Sequence, residues 1–349
     1  MNAVKSNVTA IIPVYNGKRY LREAVESVIY QSVLPDRLLI IDDGSTDGSV
    51  EVLEGINSSV PITVITQPNA GQAAARNRGV ALADTECIAL LDQDDRWYPR
   101  HIEVMLQPLS ANPKMGWVYT NCDAVGEDGK MRIRNLLDSY PVTHPKRDLR
   151  TCLSEDMFIL PSASMIRKRA FEAVGGFDER FCGYEDDDLF LRLFVAGWGN
   201  EYIPESHSTW RIHDASSLHS HRMIKSRRIY AEKLMAEYPD QPENNTFFVR
   251  DCIAGRFFTT NWQQYKRGLI IGELDYCREA LADMRQFAAL ADRGLATQYL
   301  LFILKFPAVL RIFLHGWHVG WCLIKFVCRF PMFLRRRGNR SSDNEEMPE

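Results

Sequence analysis

At 349 residues, with 46% hydrophobic and 25% charged side chains, the chain has room for one large α/β domain plus an extension and no shortage of core-forming residues. A formal net charge of -3 excludes a global attraction to nucleic acid or to an anionic membrane. The eight cysteines form no CxxC pair, which argues against a zinc knuckle or a disulfide framework, and Met1–Thr9 lacks the apolar stretch of a signal peptide, so the bulk of the chain is expected to be cytosolic.

The first 120 residues alternate strand and helix signals. Val8–Val14 is an apolar, β-branched run that predicts a buried strand, and Lys18–Gln31 places Leu21, Ala24, Val25, Val28 and Ile29 on one helical face. Arg37–Ile41 predicts a second strand that ends in Asp42-Asp43-Gly44-Ser45, with Ser45 or Thr46 placed to cap a short helix through Val52 and Leu53. Ile62–Thr66 predicts a third strand, Gln72–Ala83 an alanine-rich helix, and Cys87–Leu91 a fourth strand ending in Asp92-Gln93-Asp94-Asp95. This order predicts a mostly parallel sheet covered on both faces, whose ligands bind beyond the carboxyl ends of the strands. Three of the four strands end there in polar clusters: Tyr15-Asn16, Asp42-Asp43, and Asp92 to Asp95. Farther on, Gly126–Gly129 reads as a hairpin turn, Asp138–Arg150 as a polar loop and Ile159–Ile166 as a short strand. Lys168–Val174 and Glu185–Ala196 read as helices, and residues 218 to 290 as amphipathic helices.

The acids have bland and sharp readings. Asp92-Gln93-Asp94-Asp95 suits a solvated turn, but two carboxylates on one turn also suit a hard cation such as Mg²⁺ or Mn²⁺ that leaves positions open for a diphosphate. Asp43 suits a helix cap, or the recognition of a base edge on which Tyr15 would stack. Arg76 suits a surface ion pair or a phosphate. Glu185-Asp186-Asp187-Asp188 opens a helix, where acids favour the dipole; four in a row exceed what capping needs, and crowding should raise at least one pKa into the range of a general base. In Trp210-Arg211-Ile212-His213, the histidine is either structural or an additional metal ligand.

Together these segments resemble the family-two inverting glycosyltransferases of the GT-A fold over about Val8 to Ser217. The matching pieces stand in the family's order. They are Ile12-Pro13-Val14-Tyr15-Asn16, Asp42-Asp43-Gly44-Ser45-Thr46-Asp47, Asn69-Ala70-Gly71 with Arg76-Asn77, Leu91-Asp92-Gln93-Asp94-Asp95, Gly175-Gly176-Phe177-Asp178, and Glu185-Asp186. The resemblance implies a Rossmann-like mixed sheet with helices on both faces. It implies a nucleotide-sugar site from Pro13, Tyr15, Asn16, Asp43, Asn69, Gly71, Arg76 and Asp92, with Mn²⁺ or Mg²⁺ at Asp94, Asp92 and His213. Asp186, with Glu185 beside it, would be the catalytic base. The family pattern has an aromatic after that acidic pair, whereas this chain has Asp187. The QxxRW motif of processive synthases is absent, which points to transfer of one sugar, from a nucleotide-diphosphate donor to a glycan or lipid-linked glycan acceptor.

Residues 1–217 are therefore read as the catalytic domain, 218–298 as a helical extension, 299–337 as amphipathic basic helices and 338–349 as a disordered tail. Between Arg293 and Ser342 there are nine Lys/Arg and no Asp/Glu. Arg311, His315, His318, Cys322, Lys325 and Arg329 recur at steps of four and three, and Arg335-Arg336-Arg337 follows. The stretch free of Lys and Arg, Ile312–Ile324, is shorter than the roughly 20 residues that span a bilayer. This pattern predicts a helix lying on the cytoplasmic face of a membrane; the alternatives are a helix packed on the catalytic domain and a re-entrant or spanning pair broken near Pro307. Attachment would put the chain beside a lipid-linked glycan acceptor, and the resemblance implies a role in surface polysaccharide assembly. Among rival functions, a dinucleotide oxidoreductase lacks its GxGxxG after the first strand. A non-catalytic nucleotide-sugar binder would not need Asp186, and a polyprenyl-phosphate glycosyltransferase would use the same donor chemistry.

Overall fold

The computed structural model describes residues 6–213 and 221–291. The strands are β1 (Val8–Val14), β2 (Arg37–Asp42), β3 (Ile62–Thr66), β4 (Cys87–Leu90), β5 (Arg96–Trp97), β6 (Met115–Gly126), β7 (Met131–Ile133), β8 (Ser164–Arg167) and β9 (Gly199–Ile212). The helices are α1 (Leu21–Ile29), α2 (Gln72–Leu82), α3 (His101–Ala111), α4 (Leu149–Ser154), α5 (Lys168–Ala173), α6 (Glu185–Val195), α7 (His221–Glu237), α8 (Ala254–Ile271) and α9 (Leu274–Leu290).

One nine-stranded sheet runs β3-β2-β1-β4-β8-β6-β9-β5, with β7 paired to β6. The first half is parallel, as its alternating strands and helices predict: β1 pairs with β2 and β4, and β2 with β3. The rest departs from the expected mostly parallel order, because β8 enters antiparallel between β4 and β6, and β5 pairs antiparallel with β9. The sheet is therefore mixed.

Every residue of β1 is buried, as befits a central strand covered on both faces. α1 buries the five residues that its period predicts. α2 lies close on β1 because Gly79 has no side chain: a Cβ there would stand 2.5 Å from Ile11 Cγ2 and 3.3 Å from Ile41 Cγ1. Pro13 sits two residues past Ile11, whose carbonyl accepts from Leu91 N–H. The β1–β4 register stops at Ile11↔Leu90, so the donor that proline lacks falls where β4 has turned away.

Two expectations change locally. The helix capped by Ser45 or Thr46 is only a 3-10 turn, Glu51–Leu53. The polar side chains that would have capped it bind the loop after β1 instead, and Gly44 and Gly48 take positive φ values of 79° and 81°. The strand expected from Ile159 starts at Ser164, because Pro161 opens a 3-10 turn over Pro161–Ala163.

Of the described residues, 6–152, 156–213 and 221–230 form one compact unit, and 153–155 with 231–291 a second. In the second, α8 and α9 form a hairpin around Gly272 (φ 78°), with Phe257 and Phe287 stacked at 5.5 Å. Among the described residues, no helix is long and apolar enough to cross a membrane. The expected basic helices (299–337) and the tail (338–349) lie outside the described residues.

Candidate active site

The carboxyl ends of the parallel strands converge on one edge of the sheet and carry the predicted polar clusters with them. At the end of β1, Tyr15 is half exposed while Pro13 is buried. The backbone of Tyr15 is gripped twice by Gln93, which accepts from Tyr15 N at 2.9 Å and donates to Tyr15 O at 3.1 Å. A Cβ at Gly17 would collide with this amide, 2.2 Å from Gln93 Oε1. Asn16, in the left-handed region at φ 51°, accepts from Thr46 N, and its own N–H donates to Ser45 Oγ. Its side chain thus joins two loops at the rim of the site.

Asp43 is buried and caps no helix of its own. Its Oδ1 accepts from Gln67 Nε2 (2.7 Å) and Ala70 N (2.9 Å), and its Oδ2 from Gly71 N (2.8 Å). The carboxylate thereby fixes the loop carrying Asn69, which is exposed, and Gly71, whose φ of 94° starts α2. Oδ2 keeps a lone pair for a further donor.

Arg76 organises the centre. As an isolated residue it suits a surface ion pair, but it is only 2% exposed. Its Nη2 donates to Asp92 Oδ1 at 2.6 Å and its Nη1 to Glu185 Oε1 at 3.1 Å. Burial pulls the guanidinium pKa down, yet Asp92 and Glu185 outweigh it and hold the group above its ordinary value. Exposed pairs such as Arg37–Asp84 contribute at most about 1 kcal/mol, whereas removing one partner of this buried bridge would strand a buried charge. The next residue, Asn77, donates to Phe177 O and accepts from Phe177 N, which clasps the Gly175-Gly176 turn and places the Phe177 ring 5.3 Å from Arg76 Cζ.

The acids after β4 divide the work. Asp92 faces Arg76 and Gln72. Asp94 Oδ2 meets His213 Nε2 at 2.6 Å, and this bond raises the imidazole pKa. Asp95 is buried, accepts from Arg211 N, and is held well above the carboxylate range by burial and by Asp94 and Asp92. Arg211 also donates to Asp94 O and Glu23, which locks the end of β9 beside the acids.

At the start of α6, Gly183 and Tyr184 take left-handed φ values of 97° and 69°. A bulky residue there is strained, and such strain gathers at functional sites. The turn separates the four acids by role. Glu185 binds Arg76 and accepts from Gly183 N; Asp187 accepts from Met157 N; Asp188 pairs with Arg192. Asp186 accepts only from the Asp187 N–H among the hydrogen bonds of the described residues, and no ion pair holds its carboxylate. Burial and the neighbouring Glu185 and Asp187 charges push its pKa up to about 8.

The structure thus gathers Asp92, Arg76 and Glu185 into one bridge and Asp94 with His213 into a second contact. Among the described residues, no group of three or more His, Cys, Asp or Glu side chains is arranged to hold a metal by itself. Gln93, Gln67, Ser162 and Arg211 are the residues that sequence reasoning missed as supports. Arg211 lies within the Trp210–His213 cluster and Gln93 within Asp92–Asp95, which were their signals; Gln67 and Ser162 carry no chemistry visible in residue type.

Residues 9–175 match the family described as glycosyl transferase family 2. A glycosyltransferase of Nostoc sp., alr2836, is 37% identical over 268 residues, covering 74% of this chain and 81% of its own. The chain belongs to glycosyl transferase family 2. Some relatives are larger: the Pasteurella multocida chondroitin synthase is 30% identical over 192 residues, 54% of this chain but 19% of that enzyme. Among solved structures, S. aureus TarS 1-349 in complex with UDP-GlcNAc superposes with a TM-score of 0.62 at 15% identity, covering 96% of this chain and 92% of that one. At this identity the likeness shows a shared fold.

Proposed function

We propose that the chain transfers one sugar from a UDP-sugar to a hydroxyl of a glycan acceptor, with inversion, and that Asp186 is the general base. The observation that carries this reading is the division of the four α6 acids: three are held by polar partners outside the acidic run, while Asp186 forms no ion pair among the described residues and keeps a pKa raised by burial and by Glu185 and Asp187 against the weaker pull of Arg76. TarS, which shares the fold, is known bound to UDP-GlcNAc and to UDP, and this supports a uridine donor here. Tyr15 would stack on the base, and Asp43 Oδ2 would accept from its N–H.

The residues also suit a divalent cation. Asp94 and His213 converge at 2.6 Å, and burial, reinforced by the Asp94 and Asp92 charges, makes Asp95 favour its proton. Asp94 and His213, with Asp92 behind them, would hold Mn²⁺ or Mg²⁺, which supplies neutralisation of the diphosphate charge. In the transfer itself, Asp186 removes the acceptor proton as the acceptor oxygen bonds to the anomeric carbon. The bond from that carbon to the diphosphate oxygen breaks with its electron pair, and UDP leaves. A single displacement inverts the anomeric centre, and Arg76 keeps Asp92 and Glu185 in place while it happens.

Calorimetric titration with UDP and with GDP, with and without Mn²⁺, tests the donor site. The expected result is UDP binding that requires the metal; binding of neither nucleotide under any metal condition would overturn the assignment. We also propose that residues 299–337 attach the enzyme to the cytoplasmic face of a membrane, a reading that rests on their basic amphipathic sequence. Deleting residues 299–349 should move the protein from the membrane pellet to the supernatant, and a truncated protein that still sediments with membranes contradicts the attachment.

A further inference from the structure

One segment runs between the two acidic clusters. At its start, Met157 N donates to Asp187 Oδ1 at 2.6 Å, one residue from the proposed base. At its end, Ser162 Oγ accepts from Asp92 N at 3.0 Å, and Ser162 O accepts from Trp97 Nε1 at 2.9 Å. Both ends are therefore fixed to the site. Between them, Phe158 takes a left-handed φ of 46°. That conformation is an outlier for a bulky side chain and persists only where the surroundings impose it.

The strained backbone sets the Phe158 ring against Tyr140, with centroids 4.3 Å apart and planes at 39°. Phe158 rests on a small core of Cys122, Ala124, Leu136, Leu137 and Ala163. Tyr140 is 42% exposed, although an aromatic of this size gains by burial. Its backbone is held by the bond from Tyr140 N to Leu137 O. Asp138, exposed two residues earlier, accepts from Asn121 Nδ2 and brings a carboxylate to the rim.

We propose that Tyr140, backed by Phe158, forms the acceptor subsite, a ring on which the apolar C–H face of one pyranose lies, with Asp138 accepting from a ring hydroxyl. A half-exposed tyrosine ring backed by a phenylalanine, with a carboxylate two residues before it in the chain, matches a sugar, whose ring has one C–H face and an equatorial rim of hydroxyls. A lipid chain would need a longer apolar groove. The subsite rests on the transferase reading above; the Met157–Asp187 bond ties the chain just before Phe158 to the residue that follows Asp186.

Saturation-transfer NMR on the full chain, with UDP and Mg²⁺ present, tests the subsite using methyl β-glucoside, methyl β-galactoside, methyl β-N-acetylglucosaminide and methyl α-mannoside. Saturation should reach the ring C–H protons of at least one glycoside. It should fall about fivefold in Tyr140→Ala and persist in Tyr140→Phe. Calorimetric UDP affinity should stay within about twofold in both variants. Absence of saturation in the parent, or an undiminished signal in Tyr140→Ala, overturns the platform. Failure of the parent to bind UDP at all condemns the donor reading instead, so the two failures are separable. Tyr140 is a surface position, so loss of fold does not confuse the result.

Discussion

Asp186→Asn should lower turnover by roughly 10²–10⁴-fold while leaving UDP affinity intact, because a positioned general base contributes on that order and makes no contact needed to hold the nucleotide. The pH profile gives an independent check. With its pKa pushed up to about 8, Asp186 is protonated at neutral pH in most molecules and must lose that proton to act. The parent's kcat/KM should therefore rise with pH and level off above about 8, whereas the residual activity of the Asn variant should lack that limb. Stability should move the opposite way. Between the ordinary carboxylate value of 3.8 and about 8, the folded chain keeps a proton that the unfolded chain has released, so Asp186 costs stability as pH rises through that window. Asn carries no such charge, and the variant should melt above the parent by a margin that grows from pH 5 to pH 9. A variant that turns over normally would move the base to Glu185 or Asp188. A melting difference independent of pH would show that the carboxylate is not perturbed in the fold.

Arg76→Met should be the most destabilising single change in the site. It leaves Asp92 and Glu185 without their shared cation, and breaking a buried pair in this way costs about 3–5 kcal/mol. For a unit of this size that is a drop in melting temperature on the order of 10 °C. Arg76→Lys keeps a charge but cannot reach both carboxylates through one planar fork, and should fall between the two. Glu185→Gln, made in the Met background, should recover part of the loss, since it removes one of the stranded charges. Equal melting of parent and Met variant would show that the bridge does not hold the site together.

The fold's first half was legible because its strands are short apolar runs and α1 has a clean helical period. Its second half was less so. Nothing in Ser164–Arg167 announces that it pairs antiparallel between β4 and β6, because strand direction is set by where the chain returns and not by local propensity. In the site, the acids showed themselves by position at strand ends and in a helix's first turn. Their partners did not. Asp187 resembles Asp186 in sequence, and the Met157 N–H that marks Asp187 as a structural acid comes from 30 residues away. Arg76 by itself favours a surface reading, and its burial follows from Asp92 and Glu185, which lie 16 and 109 residues away.

Gly79 lies one helical turn beyond Arg76 on α2, and both are buried. Because it lets the helix settle onto Ile11 and Ile41, the reach of the guanidinium toward its two carboxylates depends on a spacing set by two aliphatic side chains. Any side chain at position 79 would wedge the helix outward, and the charge would be displaced with it. The alignment of the donor-side and base-side acids is thus gauged by a hydrophobic thickness, and mutational tolerance at a residue with no polar atoms of its own becomes a measure of catalytic alignment.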